Sequence, residues 1–119
     1  MSISIVIVDD HRGFRVTARR LLSREGFAVL GEASNASAAL SAVRDLRPDL
    51  LLVDVVMPGM DGFALVERLA QTFGEEPKAI LISSRAVSRS RLRKSPALGF
   101  ISKADLTGET VADLLDGTK

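Results

Sequence analysis

The sequence contains no cysteine and no apolar run of the roughly 20 residues that a transmembrane helix requires. Without cysteine the chain offers neither disulfide bridges nor thiolate metal ligands, which fits a reducing compartment. Its start, MSISIVIVDD, lacks the basic segment and the small-residue cleavage site of a signal peptide. These absences predict a cytoplasmic protein with no membrane attachment.

The length and the composition indicate one globular domain. The chain has 119 residues, 46% hydrophobic and 26% charged, which is the balance of an ordinary globular protein. A domain of this size buries roughly two-thirds of the surface of its unfolded chain, so it forms a core without disulfides. Residues 1–119 are therefore predicted to form a single domain, and the net charge of +1 indicates neither nucleic acid nor membrane as a partner.

Apolar runs and helical patterns alternate five times along the chain. The predicted strands cover residues 3–8, 27–30, 50–53, 79–82 and 100–102. The predicted helices cover residues 14–22, 36–46, 63–73, a weakly helical segment at 86–98 and a last segment after position 107. The predicted helix caps are Asn35 or Ser34, Asp61 and Thr107. Such alternation forces parallel strands joined by right-handed crossovers, which predicts an α/β fold, a doubly wound five-stranded parallel sheet with helices on both faces.

Polar side chains lie where the predicted strands end. Asp9 and Asp10 end the first strand, Asp54 ends the third, Ser83 ends the fourth and Lys103 follows the fifth. In open α/β sheets, ligands bind beyond the carboxyl ends of the strands. A single aspartate there is usually a helix cap or a turn residue, but three acids together raise one another's pKa unless a cation joins them. The joint pattern predicts an acidic binding pocket.

Magnesium suits this pocket, because it prefers oxygen ligands and is typically held by carboxylates together with phosphate oxygens. We expect Asp10 and Asp54 as direct ligands, Asp9 as a ligand directly or through water, and the backbone carbonyl of Val56 as a further ligand. Phosphoryl transfer needs mainly positioning and charge neutralisation from a protein. Magnesium and Lys103 would supply that neutralisation, and the carboxylate of Asp54 would be the nucleophile.

Two other classes of protein share parts of this pattern. An aspartate-nucleophile phosphohydrolase also uses magnesium and a strand-end aspartate, but it carries a second aspartate two residues later, where this chain has Val56. A flavodoxin-like binding module needs a phosphate-binding loop after the first strand, where this chain has the acidic segment DDHRGF. The phosphoacceptor interpretation therefore fits the residues best.

Four motifs carry a family resemblance, namely IVIVDDH, LLLVDVVMPGMDG, ILISS and GFISK. With them the chain resembles, over its whole length, the receiver domain of bacterial two-component response regulators, similar to the chemotaxis regulator. The resemblance implies a flavodoxin-like fold of strand order 2-1-3-4-5 with five flanking helices. It also implies that a sensor histidine kinase passes a phosphoryl group from its phosphohistidine to Asp54, helped by Asp9, Asp10, Lys103 and Mg²⁺. Such a protein is a signalling switch and not an enzyme, apart from self-catalysed phosphoryl transfer and slow autodephosphorylation.

The resemblance implies a conformational switch as well. In this family a residue at the position of Ser83 moves to hydrogen-bond the phosphoryl group, and an aromatic residue at Phe100 changes rotamer. The surface of helix four, strand five and helix five is then remodelled to control a downstream protein or an output domain beyond this chain, and phosphorylated copies can form a homodimer. On the residues alone, Ser83 is a strand-end hydroxyl and Phe100 an ordinary core residue.

The sequence departs from the family pattern around helix four. Lys103 is followed by Ala104 where many receivers have proline, which predicts a trans peptide bond. The interval from Ser83 to Lys103 is about two residues shorter than the family's, and Pro96 disfavours helix, so a short or irregular fourth helix is expected. Two positions that influence hydrolysis of the phosphoryl group in this family hold Val56 and Arg85. Since neither side chain activates water well, they predict a long-lived phospho-Asp54.

The fourth helical segment is strongly basic, with Arg85, Arg89, Arg91, Arg93 and Lys94. A charge run is usually a solvated face, and the alternative is a docking surface for an acidic partner or a phosphate backbone. No aromatic residue is interleaved for stacking on bases and no helix-turn-helix follows the fifth helix, so direct binding of nucleic acid is not expected. His11 is interpreted as a solvent-facing loop residue, because a phosphorylated histidine would be expected on the helix face of a bundle.

Overall fold

The computed structural model describes residues 2–117. Its strands are β1 (Ser4–Val8), β2 (Ala28–Ala33), β3 (Leu50–Asp54), β4 (Lys78–Ser83) and β5 (Gly99–Ser102). Its α-helices are α1 (Arg12–Arg24), α2 (Ala36–Leu46), α3 (Gly62–Phe73), α4 (Arg89–Lys94) and α5 (Gly108–Asp116), and a 3₁₀ turn covers Lys103–Asp105. The strands form one parallel sheet in the order β2-β1-β3-β4-β5. The predicted fold class and strand order are confirmed.

The register of the sheet brings the strand ends to one level. The last residue of β1, Val8, is the partner of Val53 in β3. The final pair between β4 and β5 joins Ser83 to Ser102. Because all five strands run in parallel, the polar residues that end or follow them emerge at the same edge of the sheet.

The central strand β3 is buried on both faces. Leu51 and Val53 pack in the core beneath α2 and α3, whereas Leu50 and Leu52 pack in the core beneath α1 and α5. All five residues of β3 are buried, which explains its unbroken apolar run, since a parallel strand covered by helices on both sides has no polar face. Asp54 is therefore held by the most constrained strand of the sheet.

Three helices begin at predicted caps. The side chains of Asn35, Asp61 and Thr107 accept hydrogen bonds of 2.8, 2.9 and 3.0 Å from the backbone N–H three residues further on. Each bond satisfies a donor that the first turn of a helix leaves unpaired. The cap at Asp61 fixes the start of α3 close to the end of β3.

Two elements are longer than their apolar patterns predict. Helix α1 begins at Arg12 and ends at Arg24. Both of its ends are polar and exposed, so the hydrophobic spacing that predicted residues 14–22 does not extend to them. Strand β2 continues to Ala33 through the exposed Glu32, which an edge strand tolerates. None of the helices between residues 2 and 117 is long and apolar enough to cross a membrane.

The fourth helix is short, as predicted. It has six residues, none of them buried, and ends at Lys94, with Ser95 as the capping residue directly before Pro96. In the described part of the chain the cis peptide bond joins Glu76 to Pro77, so the bond that follows Lys103 is trans, as predicted.

Candidate functional site

The three predicted acids lie together at the carboxyl edge of the sheet. Asp9 is fully buried, Asp54 is 2% exposed and the side chain of Asp10 is 28% exposed. One potential ligand atom from each of them, and one from His11, all lie within 4.8 Å of one another. The strand ends thus concentrate negative charge at one point.

Lys103, the first residue of the 3₁₀ turn after β5, reaches into this cluster. Its Nζ lies 2.7 Å from Asp9 Oδ2 and 3.4 Å from Asp54 Oδ2, and it donates a hydrogen bond to the latter. The ammonium group also lies 4.4 Å from the centre of the Phe14 ring, a cation–π contact. One ammonium shared by two carboxylates leaves the pocket with an excess of negative charge.

Two carboxylate oxygens have no hydrogen bond although they are buried, Asp9 Oδ2 and Asp10 Oδ1. Lys103 Nζ lies 2.7 Å from the first and His11 Nδ1 lies 3.2 Å from the second, but neither contact has hydrogen-bonding geometry. The Lys103 ammonium already joins Asp9 Oδ2 as a cation, and a further cation would join Asp10 Oδ1, since a buried charged oxygen without a partner destabilises a fold. Mg²⁺ takes oxygen ligands of this kind, so the residues present fit a magnesium ion.

The remaining predicted site residues surround the acids. A cavity of about 470 Å³ above Asp54 is lined by Asp10, His11, Val56, Ser83, Arg85 and Lys103, among others. The hydroxyl oxygen of Ser83 accepts a hydrogen bond of 3.0 Å from the Arg85 N–H, and the Val56 N–H donates one of 3.2 Å to Asp54 Oδ1. Phe100 is half-buried and packs against the core on the α3 side of the sheet.

Burial raises the pKa of Asp54 above its ordinary value, and the neighbouring charge of Asp9 raises it further. The ammonium of Lys103 and the N–H of Val56 oppose this shift without cancelling it. The physical cause is that the ionised form has lost solvent and faces a like charge. A divalent cation beside Asp54 would relieve both causes.

Asp54→Asn is expected to raise the thermal midpoint of the metal-free protein at neutral pH. A raised pKa means that the fold favours the protonated acid. This stabilisation is complete below the unfolded pKa and is lost as the pH rises through the raised value. The gain should therefore shrink on acidification, as measured by thermal unfolding in EDTA. Asp45→Asn is the matched control, because Arg44 lowers the pKa of that exposed acid, and an unchanged or lower midpoint for Asp54→Asn would contradict the account.

Two residues that were not among the predicted site residues support the site. The Arg15 guanidinium donates a hydrogen bond of 2.6 Å to the Asp9 carbonyl and one of 2.9 Å to Glu32, so it links β1, α1 and β2. The Gly62 N–H donates one of 2.9 Å to the Val55 carbonyl. A Cβ on Gly62 would lie 2.8 Å from the Cα of Val55, so this glycine lets α3 start against the end of β3. The DG pair after MPGM could have indicated it.

His11 lies closer to the acids than predicted. Its side chain is 67% exposed, in agreement with a solvent-facing residue. However, its backbone N–H lies 2.8 Å and its Nδ1 lies 3.1 Å from Asp9 Oδ1, and its Nδ1 lies 3.2 Å from Asp10 Oδ1. The interpretation as a loop residue is therefore incomplete, because the ring contacts both members of the acid pair.

The basic segment is mostly solvated. Arg85, Arg89, Arg93 and Lys94 are exposed. Arg91 differs, since its guanidinium lies 3.3 Å from Asp61 and 4.2 Å from the centre of the Phe63 ring. It thereby links α4 to the first turn of α3. Whether the exposed members dock a partner stays a prediction.

The family model described as the response regulator receiver domain matches residues 5–112. Among curated proteins, a putative transcriptional regulator of Pseudomonas aeruginosa is 34% identical over 107 residues, which are 88% of this chain and 51% of the relative. The transcription regulator BvgA of Bordetella pertussis is 31% identical over 109 residues, or 90% of this chain and 52% of the relative. The chain spans about half the length of these curated relatives.

Solved structures agree in fold. The signal receiver domain of the putative response regulator NarL from Mycobacterium tuberculosis superposes with a TM-score of 0.83 and 32% identity, covering 98% of this chain and 96% of that one. A LuxR-family two-component response regulator from Aurantimonas sp. superposes with a TM-score of 0.86 and 26% identity, covering 99% and 86%.

Proposed function

The chain belongs to the response regulator receiver domain family of two-component signalling, and from this premise we propose that a sensor histidine kinase phosphorylates it on Asp54 in a Mg²⁺-dependent reaction. The resemblance inferred from the four motifs is confirmed at the level of the family. The observation that carries the proposal is the burial of Asp54 between Asp9 and Lys103 at the edge of the sheet. We further propose that residues 1–119 are one receiver domain in the cytoplasm.

The residues of the pocket account for the transfer. Asp10 and Asp54 would hold Mg²⁺, with Asp9 directly or through water and with the Val56 carbonyl. An ion held there would neutralise charge on the phosphoryl oxygens. A carboxylate oxygen of Asp54 forms a bond to phosphorus while the bond from phosphorus to the kinase histidine nitrogen breaks, and the electron pair leaves with the imidazole. Lys103, 3.4 Å from Asp54 Oδ2, offsets the negative charge that the incoming phosphoryl group brings.

The switch would begin at Ser83. Its hydroxyl oxygen accepts the Arg85 N–H in this structure, so a hydrogen bond from Ser83 to the phosphoryl group requires its hydroxyl to turn toward Asp54. Phe100 lies on the adjacent strand and is half-buried, which leaves room for a rotamer change. A new charge with strong acceptor oxygens can bias such a two-state element, here the surface of α4, β5 and α5.

The phosphorylated surface would act on a downstream protein or on an output domain. The curated relatives include transcription regulators about twice as long as this chain, which supports the output domain without identifying it. We propose no direct contact with nucleic acid for the receiver itself, and a homodimer of phosphorylated copies is one form that its output can take. The chain is a signalling switch, and its chemistry is confined to its own phosphorylation and slow dephosphorylation.

Phosphorylation by a small donor tests this proposal. Wild type incubated with Mg²⁺ and acetyl phosphate is expected to gain one phosphoryl group per chain in intact mass, and Asp54→Asn none, because an amide is not a nucleophile at this site. Omission of Mg²⁺ should abolish the gain. Equal modification of wild type and Asp54→Asn would refute the proposal, and Asp45→Asn provides a control for the loss of a surface carboxylate.

Dephosphorylation is expected to be slow, with a half-life of minutes or longer. Val56 is 54% exposed and lines the cavity above Asp54 with Arg85, and neither side chain orients a water molecule as a base would. The decay of the phosphorylated mass after removal of the donor measures the lifetime. Val56→Asn, which introduces a polar amide beside Asp54, should shorten it, whereas a half-life of seconds in wild type would contradict the expectation.

A further inference from the structure

His11 brings to the acid pocket a type of ligand that magnesium does not favour. Its Nδ1 lies 3.1 Å from Asp9 Oδ1 and 3.2 Å from Asp10 Oδ1. Asp9, Asp10, His11 and Asp54 each offer one potential ligand atom, and these four atoms lie within 4.8 Å of one another. Two ligands of one ion, each about 2.1 Å from it, are about 3–4 Å apart, so the spacing between the ring and both acids is that of a shared ion.

The imidazole has no capping role at the start of α1. His11 occupies the residue before α1, yet its side chain makes no capping hydrogen bond, unlike Asn35, Asp61 and Thr107 at the starts of α2, α3 and α5. The ring is 67% exposed, so it can adjust without disturbing the core. Its Nδ1 instead lies within hydrogen-bonding distance of Asp9 Oδ1, at 3.1 Å, and a metal ion between them would replace that contact.

The donor set therefore suits a second class of cation. Mg²⁺ takes oxygen ligands and keeps several waters, whereas the later first-row ions Co²⁺, Ni²⁺ and Zn²⁺ bind imidazole well. Asp10 Oδ1, which is buried without a hydrogen bond and lies 3.2 Å from His11 Nδ1, is a carboxylate oxygen that a cation shared with the ring would join. We propose that His11 is a nitrogen ligand for ions of this class, which bind here with the neighbouring carboxylates and compete with Mg²⁺. This inference rests on the metal pocket of the proposed function.

Metal titrations of the full chain, wild type and His11→Gln, test the inference. Loss of residues that merely support a metal ligand lowers affinity 10–100-fold, so loss of a ligand should weaken Co²⁺ binding by at least about tenfold. Mg²⁺ affinity should stay within about twofold, because its ligands are oxygens. Asp10→Asn is the comparison variant and should weaken the binding of both ions.

A spectroscopic readout separates nitrogen ligation from indirect effects. The chain has a single histidine, so its ring signals in an NMR spectrum are unambiguous. Addition of Zn²⁺ should shift the His11 ring signals until one equivalent has been added. Mg²⁺ should not produce the signals of a ring whose nitrogen is bound to metal. Ring signals that stay in place with stoichiometric Zn²⁺ would overturn the inference.

The other outcomes are equally decisive. Equal Co²⁺ affinity of wild type and His11→Gln overturns the inference, and so does a parallel loss of Co²⁺ and Mg²⁺ affinity, which would mean that the ring only positions the acids. If the Co²⁺ affinity of Asp10→Asn equals that of wild type, His11 binds the metal outside the pocket, which also overturns the inference. If Asp10→Asn leaves Mg²⁺ affinity unchanged, the metal pocket of the proposed function fails as well. If Asp10→Asn lowers the Mg²⁺ affinity but His11→Gln leaves the Co²⁺ affinity unchanged, only this inference fails.

Discussion

Replacing Gly62 with alanine is expected to destabilise the protein by about 1–3 kcal/mol, the usual range for forcing extra atoms into a packed site. A Cβ at this position would lie 2.8 Å from the Val55 Cα and closer still to the Asp54 carbonyl oxygen. Both neighbours are backbone atoms of the buried segment that ends β3, so neither can turn aside as a side chain would. Helix α3 would have to move away, which would strain the hydrogen bond from the Gly62 N–H to the Val55 carbonyl.

Gly13→Ala is the matched control, with the opposite expected sign. Gly13 also lies in the first turn of a helix, but a Cβ there meets no atom within 4 Å. Alanine should therefore stabilise the protein by about 0.4–1 kcal/mol, by restricting the unfolded chain. Because the chain lacks tryptophan and tyrosine, urea unfolding is best followed by far-ultraviolet circular dichroism. Equal effects of the two substitutions would mean that Gly62 is not in close contact with the end of β3.

Lys103→Met is expected to lower the free energy of unfolding by about 3 kcal/mol in EDTA, as is usual when one partner of a buried ion pair is removed. The Lys103 Nζ lies 2.7 Å from the fully buried Asp9 and its side chain is only 14% exposed. Without it, Asp9, Asp10 and Asp54 face one another with no ammonium between them. Millimolar Mg²⁺ should restore part of the loss, since it supplies another cation.

A double substitution identifies charge as the cause. Asp9→Asn in the Lys103→Met background removes the acid that has lost its partner, so the double variant should be more stable than Lys103→Met alone. Non-additivity of this kind is expected for residues in direct contact. If Lys103→Met unfolds at the wild-type urea concentration in EDTA, or if Asp9→Asn brings no recovery, the ion pair does not support the fold as described.

The sequence predicted the parts of the site that depend on strand ends. Parallel strands align their carboxyl ends, so the positions of Asp9, Asp54 and Ser83 along the chain are enough to place them together. The buried strand β3 and the cap at Asp61 could also be predicted from the sequence, because burial and capping require particular residue types. The short α4 followed from the reduced spacing and from Pro96.

Contacts that depend on the three-dimensional path of side chains could not be predicted. Arg15 reaches the Asp9 carbonyl from one turn inside α1, and its partner Glu32 lies on β2, so no local pattern joins the three. The orientation of the His11 ring toward the acids depends on a side-chain rotamer. The role of Gly62 depends on how closely α3 approaches β3, a distance that a glycine permits but does not dictate.

The measurement that tests the central claim most directly is the position of the phosphoryl group in the chain. After phosphorylation with acetyl phosphate and Mg²⁺, borohydride reduces an aspartyl phosphate to homoserine, which peptide mass spectrometry locates. We predict homoserine at position 54 in wild type, and none in a sample prepared without donor or from Asp54→Asn. Homoserine at Asp9 or Asp10, or a phosphate retained on Ser83 or His11 with position 54 unchanged, would contradict the assignment of Asp54 as the phosphoacceptor.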